Sequence, residues 1–304
     1  MADTPLDDGV ARGAVVVGVV VAFHPDQAVL GALLESLATQ VASSIVVDNT
    51  PGGAPGLPDD AVVLGRNAGL ARGLNVGIEE ALRRGATHVL LCDQDSLPAP
   101  GMVQALLAAQ AQLLRCGCAV AAVGPTYADL HSGRMRACKV RGSYLPRYVH
   151  LHAGDAPAEV LTLISAGTLI RRETIDEVGP MREDLFIDRV DTEWCLRATR
   201  RGASLYVVPG ASLLQRMGEG ALRLPGGVSI SVYGPDRIYY QVRNLIALSR
   251  DGSLSPGVAI AGAANALLSV VVSLIVGPRR GTVARLALRA VSDGVRGRLG
   301  ALGD

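Results

Sequence analysis

Three short apolar runs, each stopping abruptly at a cluster of polar side chains, constrain this chain more than any other feature of its sequence. The run at 15–23 is valine-rich and ends at His24-Pro25-Asp26. The run at 44–47 ends at Asp48-Asn49-Thr50-Pro51-Gly52-Gly53, and the run at 88–92 ends at Asp93-Gln94-Asp95. Runs this short, β-branched and without polar alternation, suit strands buried on both faces, as in a parallel sheet. Between them lie a helical pattern at Val29, Leu30, Leu33, Leu34 and Leu37, a short strand at 61–64, and a glycine-punctuated helix at about 69–84. The order β-α-β-β-α-β predicts an α/β fold built on an open, mostly parallel sheet with crossover helices. Ligands of such sheets sit beyond the carboxyl ends of the strands, so the three polar clusters should meet in one crevice.

The 304 residues suit a single catalytic domain over 1–250 followed by a C-terminal helical segment over 251–304. Further strands are expected at 119–123, 161–164, 167–171 and 204–208, around a helix at about 190–201. With 29 basic against 28 acidic residues there is no broad field for gripping nucleic acid, so no nucleic-acid partner is expected and any anion must be bound locally. Five cysteines, an odd number without paired C-x-x-C sets, argue against a disulfide framework or structural zinc and fit a reducing cytoplasm. The N-terminus lacks the basic segment of a secretory signal, and the run at 14–23 is too short to cross a bilayer. An uncharged stretch at 257–277 is about long enough to do so. Pro278-Arg279-Arg280 and then Arg285, Arg289, Arg296 and Arg298 follow it. Three readings stay open there: a span, a surface-lying basic helix, or an ordinary helical pair packed on the domain.

Several segments carry chemistry. The carboxylates of Asp93 and Asp95 can reach a divalent cation that also holds a diphosphate, and hard oxygen ligands suit Mg2+ or Mn2+. Acidic pairs in strand-end turns are common, so the triplet alone also fits a solvated turn. In Phe186-Ile187-Asp188-Arg189-Val190-Asp191-Thr192-Glu193-Trp194 several acids crowd a helix start, where they could simply favour its dipole. The apolar Phe186 and Ile187 and the chain's single tryptophan could instead shape a pocket that raises a carboxylate's proton affinity, as a general base requires. Glycines 69, 73 and 77 recur every fourth residue and could admit a ligand or pack a helix tightly on a sheet. They do not form the dinucleotide fingerprint, and no P-loop lysine pattern or serine-hydrolase elbow occurs. On a helix at 237–244, Arg237 and Arg243 offer guanidinium forks to a diphosphate, although a solvated basic helix fits equally. His24, His88, His131, His150 and His152 show no metal spacing.

Together the segments 21–24, 46–50, 67–77, 91–95, 165–171, 185–197 and 237–244, with the tail Ser292-Asp293-Gly294-Val295-Arg296-Gly297-Arg298, resemble the family 2 glycosyltransferases, most closely their rhamnosyltransferase branch. The resemblance implies a GT-A fold and inverting transfer of a sugar, L-rhamnose from dTDP-L-rhamnose, to a glycan or lipid-linked acceptor at the cytoplasmic face of the membrane. It implies Asp191 as catalytic base and Asp95 with Asp93 as ligands of Mg2+ or Mn2+. The donor would be bound by His24, by Asp48 at the pyrimidine, by Asn67, Gly69 and Asn75 in the nucleotide segment, and by Asp93, Arg237 and Arg243. Ser165, Gly167, Glu193 and Trp194 would lie near the acceptor and the transferred sugar. Peripheral membrane contact and a homo-oligomer are both compatible with it. One departure stands out: where relatives commonly carry a further histidine ligand, this chain has Gln215, which could coordinate through its amide oxygen, with Arg216 beside it as a partial substitute for the cation. Donors such as galactofuranose, glucose or an aminosugar, or a non-catalytic scaffold of the same fold, are the alternatives.

Overall fold

The computed structural model describes residues 13–303 apart from 131–132, 216–219, 224–228 and 278. Its first half follows the expected order: β1 (Val16–Ala22), α1 (Gln27–Ala38), β2 (Ser43–Asp48), β3 (Val62–Val63), α2 (Leu70–Arg83) and β4 (His88–Asp93). Every residue of β1 is buried, and its alternate side chains serve two layers. Val17, Val19 and Val21 face α2, while Val16, Val20 and Ala22 face α1, a period of two set by the pleat. Asp26 starts α1 by accepting from the amides of Ala28 and Val29, and Leu30, Leu33 and Leu37 bury the stripe that follows. Gly73 and Gly77 let α2 sit directly on the sheet: a Cβ at 77 would lie 2.3 Å from Cγ1 of Val19. That is the helix-packing reading of these glycines, not ligand approach.

The second half adds β5 (Ser96–Pro98), α3 (Met102–Arg115), β6 (Val120–Asp129), the hairpin β7 (Cys138–Val140) with β8 (Arg147–Val149), β9 (Ala158–Val160), β10 (Leu169–Arg171) and α4 (Arg172–Val178). After these come α5 (Val190–Arg200), β11 (Ser204–Gln215), the hairpin β12 (Gly220–Arg223) with β13 (Ser229–Val232), α6 (Pro235–Arg250), α7 (Pro256–Val276) and α8 (Arg280–Arg296). The main sheet runs β3-β2-β1-β4-β10-β6-β11-β5, with β9 also on β11. It is mixed: β10 lies antiparallel between β4 and β6, and β5 antiparallel on the end of β11. The strand expected at 161–164 is absent, because that stretch gives its backbone to other partners. The Leu163 amide donates to Sγ of Cys195, and the Ile164 carbonyl accepts from the Thr168 hydroxyl. At the C-terminus α7 and α8 pack on α6, and Val258 and Ala266 join the apolar cluster containing β1, α2 and α5, so the core continues across residue 250.

Candidate active site

The parallel register of β1 with β2 and β4 sets Ala22 beside Asp48 and Val21 beside Asp93, so the polar strand ends do converge. Gln94 clasps the end of β1, accepting from the Phe23 amide at 2.7 Å and donating to the Phe23 carbonyl at 3.1 Å. His24, exposed and at φ 45°, donates its amide to the Thr50 hydroxyl at 2.9 Å. Asn49 and Asn67 form a bridge from the end of β2 to the start of α2: the Asn49 side-chain Nδ2 donates to Oδ1 of Asn67 at 3.1 Å, which also accepts from the Gly69 backbone amide.

At the end of β4 the Asp93 carboxylate accepts from the Ser165 hydroxyl at 2.9 Å and from Nε2 of Gln215 at 3.1 Å. The same Gln215 nitrogen donates to Asp95 at 3.3 Å, while its oxygen accepts from the Ser96 hydroxyl at 2.7 Å. The pairing of β5 with β11 explains this arrangement, since it sets Gln215 opposite Ser96. Gly167, at φ +81°, forms the turn that brings Ser165 to Asp93, with its amide bonded to the Leu91 carbonyl. Burial, then the charge of Asp95, pushes the Asp93 carboxyl up from 3.8 to about 6; Ser165 opposes the rise and the charge of Asp191 adds to it. Two carboxylates converging on one nitrogen, with the proton affinity of one raised by burial and by the charge of the other, form a place that favours a cation. Their hard oxygens fit Mg2+ or Mn2+. Gln215 corrects one expectation: it turns its nitrogen, not its oxygen, to the acids, and its N–H2 stands where a cation would. Among the described residues no cluster of three or more His, Cys, Asp or Glu side chains gathers here. Arg216 lies outside the described residues.

Asp191 opens α5 after a loop in which Phe186, Asp188 and Arg189 all have positive φ, 66°, 64° and 61°. Non-glycine residues rarely adopt that region, and this loop is held there by its neighbours. Asn244 donates to the carbonyls of Leu185, Ile187 and Asp188, Arg237 forms a two-bond pair with Asp188 at 2.7 and 2.8 Å, and Phe186 stacks on Tyr240. Asp191 accepts from the amide and hydroxyl of Thr192 and makes no ion pair among the described residues. Burial raises its proton affinity, Thr192 opposes that, and Asp188 adds to it. It lines one small hollow with Ser165, Leu163, Met181 and Trp194. The two acid clusters therefore meet across Ser165.

Other expected residues are drawn into the scaffold. Asp48 has no exposed surface, and its two oxygens accept from the amides of Thr50 and Ala54, so it holds its own turn instead of opening to a base. Asn75 is buried and spent on Met181 and Glu183. Gly69 at φ +88° lies against Phe186, where a Cβ would come within 2.6 Å of the ring. Arg243, fully buried, donates to Asn244 and to the carbonyls of Leu185 and Gly300, and lies 4.9 Å from the Tyr240 ring centre. It has no surface to offer a diphosphate. Glu193 is buried in an ion pair with Arg197 at 3.0 Å, a partner readable from the i, i+4 spacing. Trp194 keeps its ring on the hollow but gives its N–H to the Gly179 carbonyl. Sequence reasoning passed over Ser96, Gln94, Thr192 and Asn244 as working parts; the first three are immediate neighbours of the acids.

A sequence-family profile described as "Glycosyltransferase like family 2" matches residues 14–216. The chain is similar to the dTDP-rhamnosyl transferase RfbF of Shigella flexneri, at 29% identity over 290 residues covering 92% of this chain and 95% of that protein. Among solved structures it is similar to the crystal structure of GalNAc-T7 with UDP, GalNAc and Mn2+, with a TM-score of 0.56 at 15% identity. That match covers 77% of this chain, which spans about half of the other, 48%. At that identity the likeness speaks for the fold alone, and the fold is GT-A-like.

Proposed function

This chain belongs to glycosyltransferase family 2, and from that premise we propose that it transfers L-rhamnose, with inversion, from dTDP-L-rhamnose to a hydroxyl of a glycan or lipid-linked acceptor at the cytoplasmic face of a membrane. The resemblance to RfbF over nearly the whole chain supports the donor. One observation supports the chemistry: Ser165 bonds Asp93, which shares the Gln215 nitrogen with Asp95, and lines the same hollow as Asp191, whose charge reaches Asp93.

Asp93 and Asp95 would hold Mg2+ or Mn2+, which when bound offsets the charge appearing on the leaving diphosphate. Asp191 accepts the proton of the acceptor hydroxyl as its oxygen forms a bond to the anomeric carbon. The bond from that carbon to the diphosphate oxygen breaks, and the electron pair leaves with the nucleotide. Burial of Asp191 supports this role by raising its proton affinity toward that of the group it deprotonates. Ser165, fixed on Asp93, orients that carboxylate, and the Arg237–Asp188 pair holds the loop that carries Asp191.

The test is a thermal-shift panel of sugar nucleotides with metal, followed by transfer assays. dTDP-rhamnose at about a hundredfold over its Kd should stabilise the protein by about 2.7 kcal/mol. Asp191→Asn should keep that shift while losing about 10²–10⁴ of the transfer rate. A shift with UDP-galactofuranose or a glucose donor alone would displace rhamnose, and unchanged transfer by Asp191→Asn would remove the base.

A further inference from the structure

Two stretches of this chain carry no acid at all. Residues 130–154 hold Arg134, Arg136, Lys139, Arg141 and Arg147, and residues 252–292 hold Arg279, Arg280, Arg285 and Arg289. The fold brings the two together. The loop between β7 and β8 lays the Tyr144 backbone against Gly257 near the start of α7, and Asn265 of α7 donates to the Tyr148 hydroxyl at 3.5 Å.

The surface they share is apolar in the middle and basic at both ends. On α7 the exposed positions Ile260, Ala264, Leu267, Leu268, Val271 and Ile275 recur every three or four residues, so they form one stripe along the helix. Leu267 is 65% and Ile275 62% exposed, whereas Val258, Gly262, Ala266 and Ser273 bury the opposite side on the protein, and Gly257, in line with the stripe, is covered by the hairpin. At the hairpin end the stripe meets Tyr144, 70% exposed, with Leu145 and Tyr148 beside it. Arg141 and Arg147 flank that end and Arg279 and Arg280 follow the other, all exposed, and none of these four pairs with a carboxylate among the described residues. Only 28% of the helix's most apolar window is buried.

We propose that this face, α7 with the β7–β8 hairpin, docks in the plane of an anionic lipid bilayer, with the apolar stripe and Tyr144 in the headgroup boundary and the arginines on lipid phosphates. Charge decides the occupant: a second copy would set these arginines against like charge, whereas an anionic lipid surface complements both ends at once. The buried side of α7 favours lying in the surface over crossing, because a crossing would strip that side from α6. The inference deepens the reading that the acceptor is met at a membrane, and it adds the hairpin as half of the contact.

The test is sedimentation of the whole protein with phosphatidylcholine vesicles, with and without phosphatidylglycerol, in the absence of donor and acceptor. Binding should appear with phosphatidylglycerol and fall with salt. Each arginine changed among Arg141, Arg147, Arg279 and Arg280 should weaken it about fivefold. Leu267→Glu with Ile275→Glu, both exposed, should weaken it at least as much while leaving helicity and transfer to a soluble acceptor unchanged. No binding to anionic vesicles, or binding untouched by both sets of variants, would overturn the proposal. So would protein that resists extraction from membranes by alkaline carbonate, or a dimer that Leu267→Glu dissociates with no vesicle binding. Vesicle binding without sugar transfer would instead count against the enzymatic reading alone.

Discussion

Removing Gln215 tests whether its amide stands in for a cation between Asp93 and Asp95. The side chain is 5% exposed and donates to both carboxylates, at 3.1 and 3.3 Å, while its oxygen satisfies the Ser96 hydroxyl. Bonds to charged groups contribute about 1.5–3 kcal/mol each, and these two are long, so the lower figure applies. The buried Ser96 hydroxyl left without its acceptor costs about 1 kcal/mol more. Gln215→Ala should therefore destabilise the metal-free protein by about 4 kcal/mol in urea unfolding. With saturating Mn2+ and dTDP the wild type gives up the two amide bonds to the ion, whereas the variant has none to give up. The gap should then narrow to about 1 kcal/mol, the share of Ser96. A loss below about 1 kcal/mol without metal, or a gap that metal leaves unchanged, would refute the reasoning.

Other outcomes follow from the same geometry. Asp191, raised above its ordinary 3.8 by burial, must be ionised to act, so turnover should fall with decreasing pH while still above about pH 4; a rate flat to that point would contradict the assignment. Asp93, at about 6 in the fold against 3.8 ordinarily, holds its proton more tightly when folded. Metal-free protein should gain stability as pH falls through about 6, and Asp93→Asn should flatten that gain in urea melts. Gly77→Ala places a Cβ 2.3 Å from Val19 and should cost about 1–2 kcal/mol despite better helix propensity, whereas Gly31→Ala, with open space around it, should stabilise by up to about 1 kcal/mol. Arg243→Ala should lose about 3 kcal/mol or more; a fully stable variant with weakened nucleotide binding would restore Arg243 to the donor site.

What the sequence revealed depended on distance along the chain. Valine runs and the polar clusters that end them are local signals, so the strand ends and the acids Asp93, Asp95 and Asp191 were legible from residue order and the family resemblance. The fate of a polar side chain is set by partners that local pattern does not name. Asn75 meets Met181, Asp48 meets the amide of Ala54, and Arg243 meets the carbonyl of Gly300. Each looked like a ligand-binding group because a polar residue inside an apolar pattern reads the same whether a ligand or a distant carbonyl satisfies it. The orientation of Gln215 required the antiparallel register of β5 on β11, across 119 residues. The run at 161–164 looked like a strand because its apolar content matched one, yet the turn that delivers Ser165 takes its backbone.

The most direct measurement is anomalous diffraction at the manganese edge from crystals grown with Mn2+ and dTDP. The account predicts one strong manganese peak bonded to oxygens of Asp93 and Asp95 and to the diphosphate, with the Gln215 nitrogen turned away and the Asp191 carboxylate facing the same cleft. A manganese peak elsewhere, or Asp191 pointing away from the bound diphosphate, would contradict it.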